Sequence, residues 1–277
     1  MAISMYLTGQ RKKIAFQNCW IALARLLKRF CRKQVMKLKT VLLKFSGPLQ
    51  SWGTNSHFET RHTDDHPSKS GVIGMIAAGL GCSRNDEEML SRLNKLRFAV
   101  RVDQTGQILR DYHTAKKYKP NGELDRTYVT NRYYLQDAVF VVALSSDDDE
   151  LFDAVEDALN RPYFQQFLGR RALPPTADLF QGIVDSDAIT ALKEYPWQAA
   201  EWYKRKHREK IHIYADASLL PDAATRIRND EARSFSQKKG RKFSPRREAH
   251  IIIDAFPEGA NTSDKHEDHD AFGAIGE

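Results

Sequence analysis

The sequence has few cysteines and no long apolar run, and both absences narrow the class of protein. Its three cysteines, Cys19, Cys31 and Cys82, form no CxxC pair, so no disulfide framework is predicted and a reducing cytoplasm fits best. The most apolar stretch, WIALARLL, is interrupted by Arg25 and is much shorter than the roughly 18 to 20 residues of a membrane span. With 41% hydrophobic and 29% charged residues, the chain of 277 residues is expected to be soluble and globular, without a membrane partner.

The sequence also lacks the patterns of common catalytic and metal sites. It has no GxxxxGK[ST] loop, no Ser/His/Asp order, no zinc-spaced ligand set and no convincing pair of carboxylates. We therefore predict no cofactor and no metal. One catalytic hypothesis stays open, in which His113, with Tyr112 and Lys116, cuts RNA without a metal. A direct RNA contact by His113 is the interpretation that we favour.

Charge is distributed unevenly, although the net charge is only +7. Residues 1–36 hold eight Lys or Arg and no acid, and residues 1–35 form a basic amphipathic extension with helical spacing of its apolar residues. This extension is either a helix for a membrane surface or an acidic partner, or it precedes a true translation start at Met36, which we favour. Residues 255–277 are acidic and nearly free of large apolar side chains, so we expect a disordered tail there.

The middle of the chain alternates strand and helix patterns. Strands are predicted at 39–45, 97–103 and 137–144, with helices at 70–80, 86–96 and 147–162. This order is typical of an α+β, ferredoxin-like (RRM-like) unit, here residues 36–160, followed by a smaller β-rich region, 161–254. RNA-binding proteins and enzymes both use this fold, so it does not by itself decide function.

The first strand ends in FSGPLQSWG, where Gly47 and Pro48 break the pattern. Gln50 and Trp52 follow at once. The pattern alone does not decide whether Trp52 is exposed or is a buried anchor.

A polar segment at about 104–134 predicts a protruding, thumb-like β-hairpin with two arms joined at KPNGELD. Basic residues alternate with tyrosines along both arms, which combines phosphate neutralisation with flat rings for base stacking. A solvated hairpin with incidental tyrosines is the alternative. The residues chosen from this composition as RNA contacts are Lys116, Arg132 and Tyr133.

Three further segments are basic. In PSKSG, Lys69 and Ser70 stand at a helix start that could bind a phosphate, or Ser68 or Ser70 could simply cap the helix. In FLGRR, Gly169 would allow a close backbone approach to a ligand, beside Arg170 and Arg171. The segment 236–248, SQKKGRKFSPRRE, is predicted to be a mobile loop that either contacts an RNA backbone nonspecifically or, as we favour, is simply solvated.

Taken together, FSGPLQSWG, ETRHTDDHPSKSGVIGMIAAGLG, LRDYHT and FLGRRALPPTADLF resemble the CasD family of Cascade, the type I-E CRISPR surveillance complex. This family belongs to the RAMP superfamily, whose folds derive from ferredoxin-like domains. The resemblance covers about residues 36–254. It implies that FSGPLQSWG ends the first strand at a surface needed for RNA or subunit contact, with a buried Trp52 as the equal alternative. It implies a RAMP domain with a thumb insertion in a protein of CRISPR antiviral defence, the maintenance of CRISPR repeat elements.

The resemblance also implies a function and a set of contacts. It implies a non-catalytic RNA-binding subunit that holds the 5′ handle of the CRISPR RNA (crRNA), contacts the backbone and large subunits of Cascade, and is not a homo-oligomer in that assembly. A metal-independent endoribonuclease that processes repeat RNA, as in type I-C relatives, is the alternative. The residues carried over as RNA contacts are Arg61, Lys69, Ser70, Arg110, His113, Thr114, Arg170 and Arg171.

Overall fold

The computed structural model describes residues 38–53, 59–207 and 210–254. The predicted extension at 1–35 and the predicted tail at 255–277 lie outside these ranges. The described helices are α1 (Lys69–Gly79), α2 (Glu87–Asn94), α3 (Asp149–Asn160), α4 (Ala188–Glu194) and α5 (Glu201–Lys206). The strands are β1 (Lys39–Ser46), β2 (Leu49–Gln50), β3 (Thr60–Arg61), β4 (Arg97–Gln104), β5 (Gln107–Tyr118), β6 (Leu124–Gln136), β7 (Val139–Ser146), β8 (Phe180–Val184), β9 (Lys210–Asp216), β10 (Thr225–Ser234) and β11 (Lys242–Asp254).

The predicted helices and long strands are confirmed to within a few residues at their ends. All eight residues of β7 are buried, as its uninterrupted apolar pattern requires. Asp86 and Asp148 cap α2 and α3, because their side chains accept hydrogen bonds from the backbone N–H groups of Met89 and Leu151. None of the helices in the described ranges is long and apolar enough to cross a membrane.

The main sheet has seven strands in the order β10-β11-β9-β4-β7-β1-β8. Its pairs β1 with β7, β1 with β8, β4 with β7 and β4 with β9 are all antiparallel. Strands from both sides of residue 160 therefore form one continuous sheet. The fold is a mixed α and β structure built on antiparallel sheets.

The two faces of this sheet bury separate apolar clusters. Alternate residues of β1 point to opposite faces, so Val41, Leu43 and Phe45 join one cluster and Leu42 joins the other. Helices α1, α2 and α3 cover the first face, and α4 covers the second. The sheet is thus a rigid support for the segments that leave its edge.

The FSGPLQSWG segment turns inward, and the expectation of a contact surface there is wrong. Trp52 is 2% exposed and stacks on Phe45 with ring centroids 5.4 Å apart. Its indole N–H donates to Gln50 Oε1 at 3.1 Å, and Gln50 Nε2 donates to the carbonyl of Ala138 at 2.8 Å. The alternative of a buried anchor is confirmed, because both polar side chains find their partners inside the protein.

The predicted hairpin is present, formed by β5 and β6. The β5–β6 pair extends away from the main sheet, and only the base of β6 pairs with the short strands β2 and β3. The turn closes between Lys119 and Glu123, with Gly122 at a φ of 84°. The structure thus presents a long two-stranded arm with solvent on both faces.

Candidate nucleic-acid interface

The predicted site residues of the hairpin divide between its two faces. Residues directly opposite in an antiparallel pair share a face, and neighbours along a strand point to opposite faces. Arg110 lies opposite Tyr133, and His113 lies opposite Thr130. We call the face of Arg110 the first face and the face of His113 the second face. The predicted residues on the first face are Arg110, Thr114, Lys116 and Tyr133, and those on the second face are His113 and Arg132.

The first face offers cations and rings together. Asn131 orients Arg110, because its Oδ1 accepts from Nε and Nη2 of the guanidinium at 3.0 and 2.9 Å. Tyr112, which shares this face, is 61% exposed. At the hairpin base, the His62 ring stacks on Tyr133 with centroids 5.1 Å apart. This face can contact phosphates through charge and bases through stacking.

The second face carries His113, and its position bears on the catalytic hypothesis. His113 is exposed, and its Nδ1 lies 3.2 Å from the backbone oxygen of Thr114. Tyr112 and Lys116 point to the other face of the same strand. The three side chains therefore cannot converge on one scissile phosphate, and their proposed catalytic grouping is wrong.

Three arginines meet where the hairpin joins the body, and we call Arg61, Arg132 and Arg170 the root cluster. Arg61 on β3 is in register with Arg132 on β6. Nη2 of Arg170 donates to the backbone oxygens of Arg61 at 3.3 Å and Tyr133 at 3.4 Å. The Arg170 guanidinium lies 4.4 Å above the ring of Tyr134. Sequence segments more than a hundred residues apart thus supply one concentrated positive charge.

The root cluster has unused hydrogen-bond donors. Nε of Arg132 and Nη1 of Arg170 are buried and have no hydrogen-bond partner. Among the described residues, no carboxylate forms an ion pair with any of the three arginines. Buried guanidinium donors are normally satisfied, so these two atoms lack the kind of partner that an anion bound at the root cluster would supply.

Gly169 positions Arg170 through a close backbone contact. Its φ is +88°, and a Cβ built on it would lie 1.7 Å from the carbonyl oxygen of Ser51. The N–H of Ser51 donates to the carbonyl of Leu168 at 3.2 Å, which holds the two segments together. Only glycine fits here, and the close approach is to protein backbone rather than to a ligand. Arg171, next in the loop, is exposed.

Lys69 requires a correction, because its ammonium is not placed to contact a phosphate. The residue is 5% exposed, and its Nζ lies 2.9 Å from Asp216 Oδ2. Ser68 caps α1, with its hydroxyl accepting from the N–H of Gly71 at 3.3 Å, as the alternative interpretation required. The backbone N–H of Lys69 donates to Asp230 at 2.9 Å. The carboxylate of Asp230 therefore occupies the N-terminal end of α1, where a phosphate was predicted to bind. Ser70 is half-buried.

Lys69 belongs to a buried ionic network that ties the start of α1 to β9, β10 and β11. Arg246 is its centre and donates to Asp230, Asp216 and Glu248 at 2.8 to 3.0 Å. The segment 236–248, predicted as a mobile loop, in fact supplies β11 from residue 242 onward. The alternation of charged residues along β10 and β11 was the only sequence signal for this network, and it does not identify the partners.

Two carboxylates that contact His66, Glu248 of this network and Asp65 beside it, have low pKa values. Burial alone would raise the pKa of Glu248, but its hydrogen bond to His66 and the charges of Arg228 and Arg246 hold that pKa well below its usual range. The hydrogen bond from His66 lowers the pKa of Asp65 to about 2. Both groups are therefore ionised throughout the neutral range.

These pKa values predict that the protein loses stability in acid. A carboxylate whose pKa is depressed by folding stabilises the fold above its unfolded pKa, and this contribution disappears as pH falls through the folded value. We expect the melting temperature to drop between about pH 4.5, the ordinary value for Glu, and about pH 2, the value for Asp65. Thermal denaturation at a series of pH values measures this. In Glu248→Gln, stability at pH 7 should be lower and its fall with acid shallower; an unchanged slope would contradict the assignment.

Comparison with known proteins identifies the family. Residues 40–252 match the profile of the family described as CRISPR-associated protein (Cas_Cas5), which spans most of the chain. The chain therefore belongs to this CRISPR-associated family.

Individual relatives show which members of the family the chain resembles. The chain is 36% identical over 190 residues to the "CRISPR system Cascade subunit CasD" of Escherichia coli (strain K12), covering 62% of this chain and 84% of that protein. A solved chain of a "CRISPR RNA-guided surveillance complex" superposes with a TM-score of 0.63 at 34% identity, covering 78% of this chain and 90% of that one. A second structure, described as "Crystal structure of Cas protein", gives a TM-score of 0.59 at 31% identity, covering 78% and 95%. The resemblance to CasD drawn from the motifs is confirmed.

Proposed function

We propose that the chain is a non-catalytic subunit of a CRISPR RNA-guided surveillance complex and that it holds the 5′ handle of the crRNA at the root cluster and along the hairpin. The observation that carries this proposal is the pair of buried, unpartnered donors on Arg132 and Arg170. Three guanidinium groups without a carboxylate partner have a strong affinity for phosphate. An RNA strand that runs from the root cluster along the hairpin brings a phosphate at every nucleotide to these cations.

The strand order supports a ferredoxin-like unit as the platform for this site. In chain order, β1, β4, β7 and β8 are the first to fourth strands of the main sheet, and they lie side by side in the order β8-β1-β7-β4. Helices α1 and α3 fall in the two positions where a split β-α-β unit has its helices. The hairpin is inserted between the second and third of these strands.

The assembly context comes from the relatives. A CasD subunit and a chain of a surveillance complex are both similar to this chain over most of their own length. We therefore propose that its partners are crRNA and the backbone and large subunits of such a complex, in the cytoplasm and in single copy. The exposed rings of the hairpin, such as Tyr118 at 57%, suit a surface that is covered in an assembly.

An endoribonuclease remains the second candidate function because relatives of type I-C process repeat RNA. His113 could act with groups other than Tyr112 and Lys116. Its nearest titratable neighbours on the second face are Asp111 and Tyr128, and among the described residues neither side chain is hydrogen-bonded to it. Arg126 and Lys117 lie further along that face, and Lys117 is paired with Asp125 at 3.0 Å. RNA retention rather than cleavage is the expected activity.

The test measures binding of labelled CRISPR repeat RNA by fluorescence anisotropy over a range of salt concentrations. We expect Arg132→Ala/Arg170→Ala to weaken binding about 100-fold near 0.1 M salt. The slope of log affinity against log salt should also fall by about 1 to 1.5, at about 0.7 for each lost phosphate contact. Thermal denaturation verifies that the variant is folded.

The matched control is Arg233→Ala/Arg241→Ala, which removes the same charge from two exposed arginines at the far end of the sheet. Equal weakening by both double variants would contradict a specific site. The same RNA, incubated without metal and resolved on a gel, should stay intact. Specific cleavage that is lost in His113→Ala would instead favour the endoribonuclease.

A further inference from the structure

Helix α5 carries an exposed tryptophan with two cations one turn after it. Trp202, Arg205 and Lys206 are spaced i, i+3 and i+4, so they share one face of the helix. Trp202 is 49% exposed, and Nζ of Lys206 lies 5.9 Å from the centre of its ring. Arg205 and Lys206 are both exposed. We call this set the α5 face.

The α5 face is held rigidly beside the start of the hairpin. The hydroxyl of Tyr203 accepts from the N–H of Thr105 at 3.3 Å, two residues before β5 begins. The Tyr203 ring also stacks on His207, with centroids 4.2 Å apart. The indole N–H of Trp197 donates to the carbonyl of Asp103 at 2.7 Å. The side chains that anchor α5 are thus on its inner face, and the α5 face is left to solvent.

A buried ion pair fixes the segment that leads into α5. Arg101 pairs with Asp103 at 2.6 Å, and the Arg101 guanidinium also donates to the carbonyls of Tyr195 and Pro196 at 2.6 and 2.8 Å. Oδ2 of Asp103 accepts both from Nη2 of Arg101 at 2.8 Å and from the N–H of Gln198 at 2.6 Å. Because both residues of the pair belong to β4, the position of α5 relative to the hairpin is set by the main sheet.

The charge of the α5 face favours nucleic acid over protein. The helix carries one acid, Glu201, against three cations, Lys204, Arg205 and Lys206, and Glu201 pairs with Lys204 at 2.8 Å. Among the described residues, no carboxylate forms an ion pair with Arg205 or Lys206. Protein interfaces are depleted in lysine and satisfy their charges, whereas sites for single-stranded RNA combine free cations with an aromatic platform.

We infer that Trp202, Arg205 and Lys206 form a second RNA contact, which takes an unpaired nucleotide of the strand held at the root cluster. A base stacks on the indole, and the two cations neutralise the flanking phosphates. This inference rests on the proposed function for the source of the strand. It adds a contact from helix α5, which contains none of the predicted site residues.

Tryptophan fluorescence tests the stacking directly. Titration of the full chain with unpaired repeat RNA should quench part of its tryptophan emission, and Trp202→Phe should abolish most of that quench while weakening binding less than about 10-fold. Trp52 is buried and serves as an internal reference for the intact fold. Full quenching retained in Trp202→Phe would overturn the inference.

The cations are tested by Arg205→Ala/Lys206→Ala, with Lys238→Ala/Arg241→Ala as a control of equal charge in the exposed β10–β11 turn. We expect about 10-fold weaker RNA binding and a salt slope lower by about 1 to 1.5 for the α5 variant only. Equal effects of the two variants, or an α5 variant with normal RNA binding that has lost a neighbouring subunit, would overturn the inference.

The outcomes separate this inference from the proposed function. If Arg132→Ala/Arg170→Ala keeps full RNA affinity while the α5 variants lose it, the root cluster is wrong as the site and the α5 contact stands. If the root variant loses affinity and the α5 variants behave as the control does, the proposed function stands and the α5 contact is wrong. Absence of RNA binding by the unaltered chain would overturn both.

Discussion

Replacement of Asp230 by Asn should destabilise the protein by about 3 kcal/mol. Asp230 is fully buried, and its two oxygens accept from Nε and Nη2 of Arg246, both at 2.8 Å. Its Oδ2 also accepts from the N–H of Lys69. The substitution keeps the volume but removes the charge, so Arg246 keeps only its ion pairs with Asp216 and Glu248. Removal of one partner from a buried pair is costly because the other charge stays desolvated.

Chemical denaturation followed by circular dichroism measures this loss. The control is Asp149→Asn, which removes a carboxylate that lies 2.7 Å from Lys39 and is 67% exposed. That exposed pair should contribute less than about 1 kcal/mol. If the two variants unfold at the same denaturant concentration, the network does not hold the C-terminal strands against α1 as the structure indicates.

Replacement of Gly169 by Ala should also be severe, at about 2 to 4 kcal/mol of stability. Two costs add at this position. A left-handed φ strains any residue with a Cβ, and the new Cβ would lie 1.7 Å from the Ser51 oxygen, which is backbone and cannot rotate away. The loop must move, and Arg170 moves with it. We therefore expect RNA affinity to fall along with stability.

Gly122→Ala is the matched control for this prediction. Gly122 has a similar φ of +84°, but a Cβ there would meet nothing within 4 Å. It carries the conformational strain without the steric contact, so it should cost only about 1 kcal/mol. The difference in unfolding free energy between the two variants isolates the contact with Ser51. Equal losses of unfolding free energy in the two variants would show that the loop at residue 169 moves to accommodate the Cβ, and that its close approach to Ser51 does not contribute to stability.

Local patterns predicted most of the elements. The apolar run of β7 and the turn at KPNGELD are each decided within a few residues of the chain, and each is present. The hairpin was predicted for the same reason. Alternating basic and aromatic residues with no apolar face cannot form part of a core.

The site was only partly predictable because its contacts span the chain. Arg61, Arg132 and Arg170 were each chosen, but their meeting at the hairpin base depends on the parallel pairing of β3 with β6. The error at Lys69 has the opposite cause. A lysine at a helix start looks solvated in the sequence, and its burial depends on Asp216 and Asp230, about 150 residues later.

The order of the main sheet bears on how the chain is made. β4 pairs with β7 and β9, and β1 pairs with β7 and β8. Each of these two central strands can therefore complete its hydrogen bonds only after later parts of the chain have been synthesised. A nascent chain that ends near residue 184 has a closed β1 but one bare edge on β4, whose free N–H and C=O groups can pair with another chain. Distant pairings of this kind form slowly. Residues 210–254 cover this edge of β4 with β9 and leave β10 and β8 as the edge strands of the finished sheet.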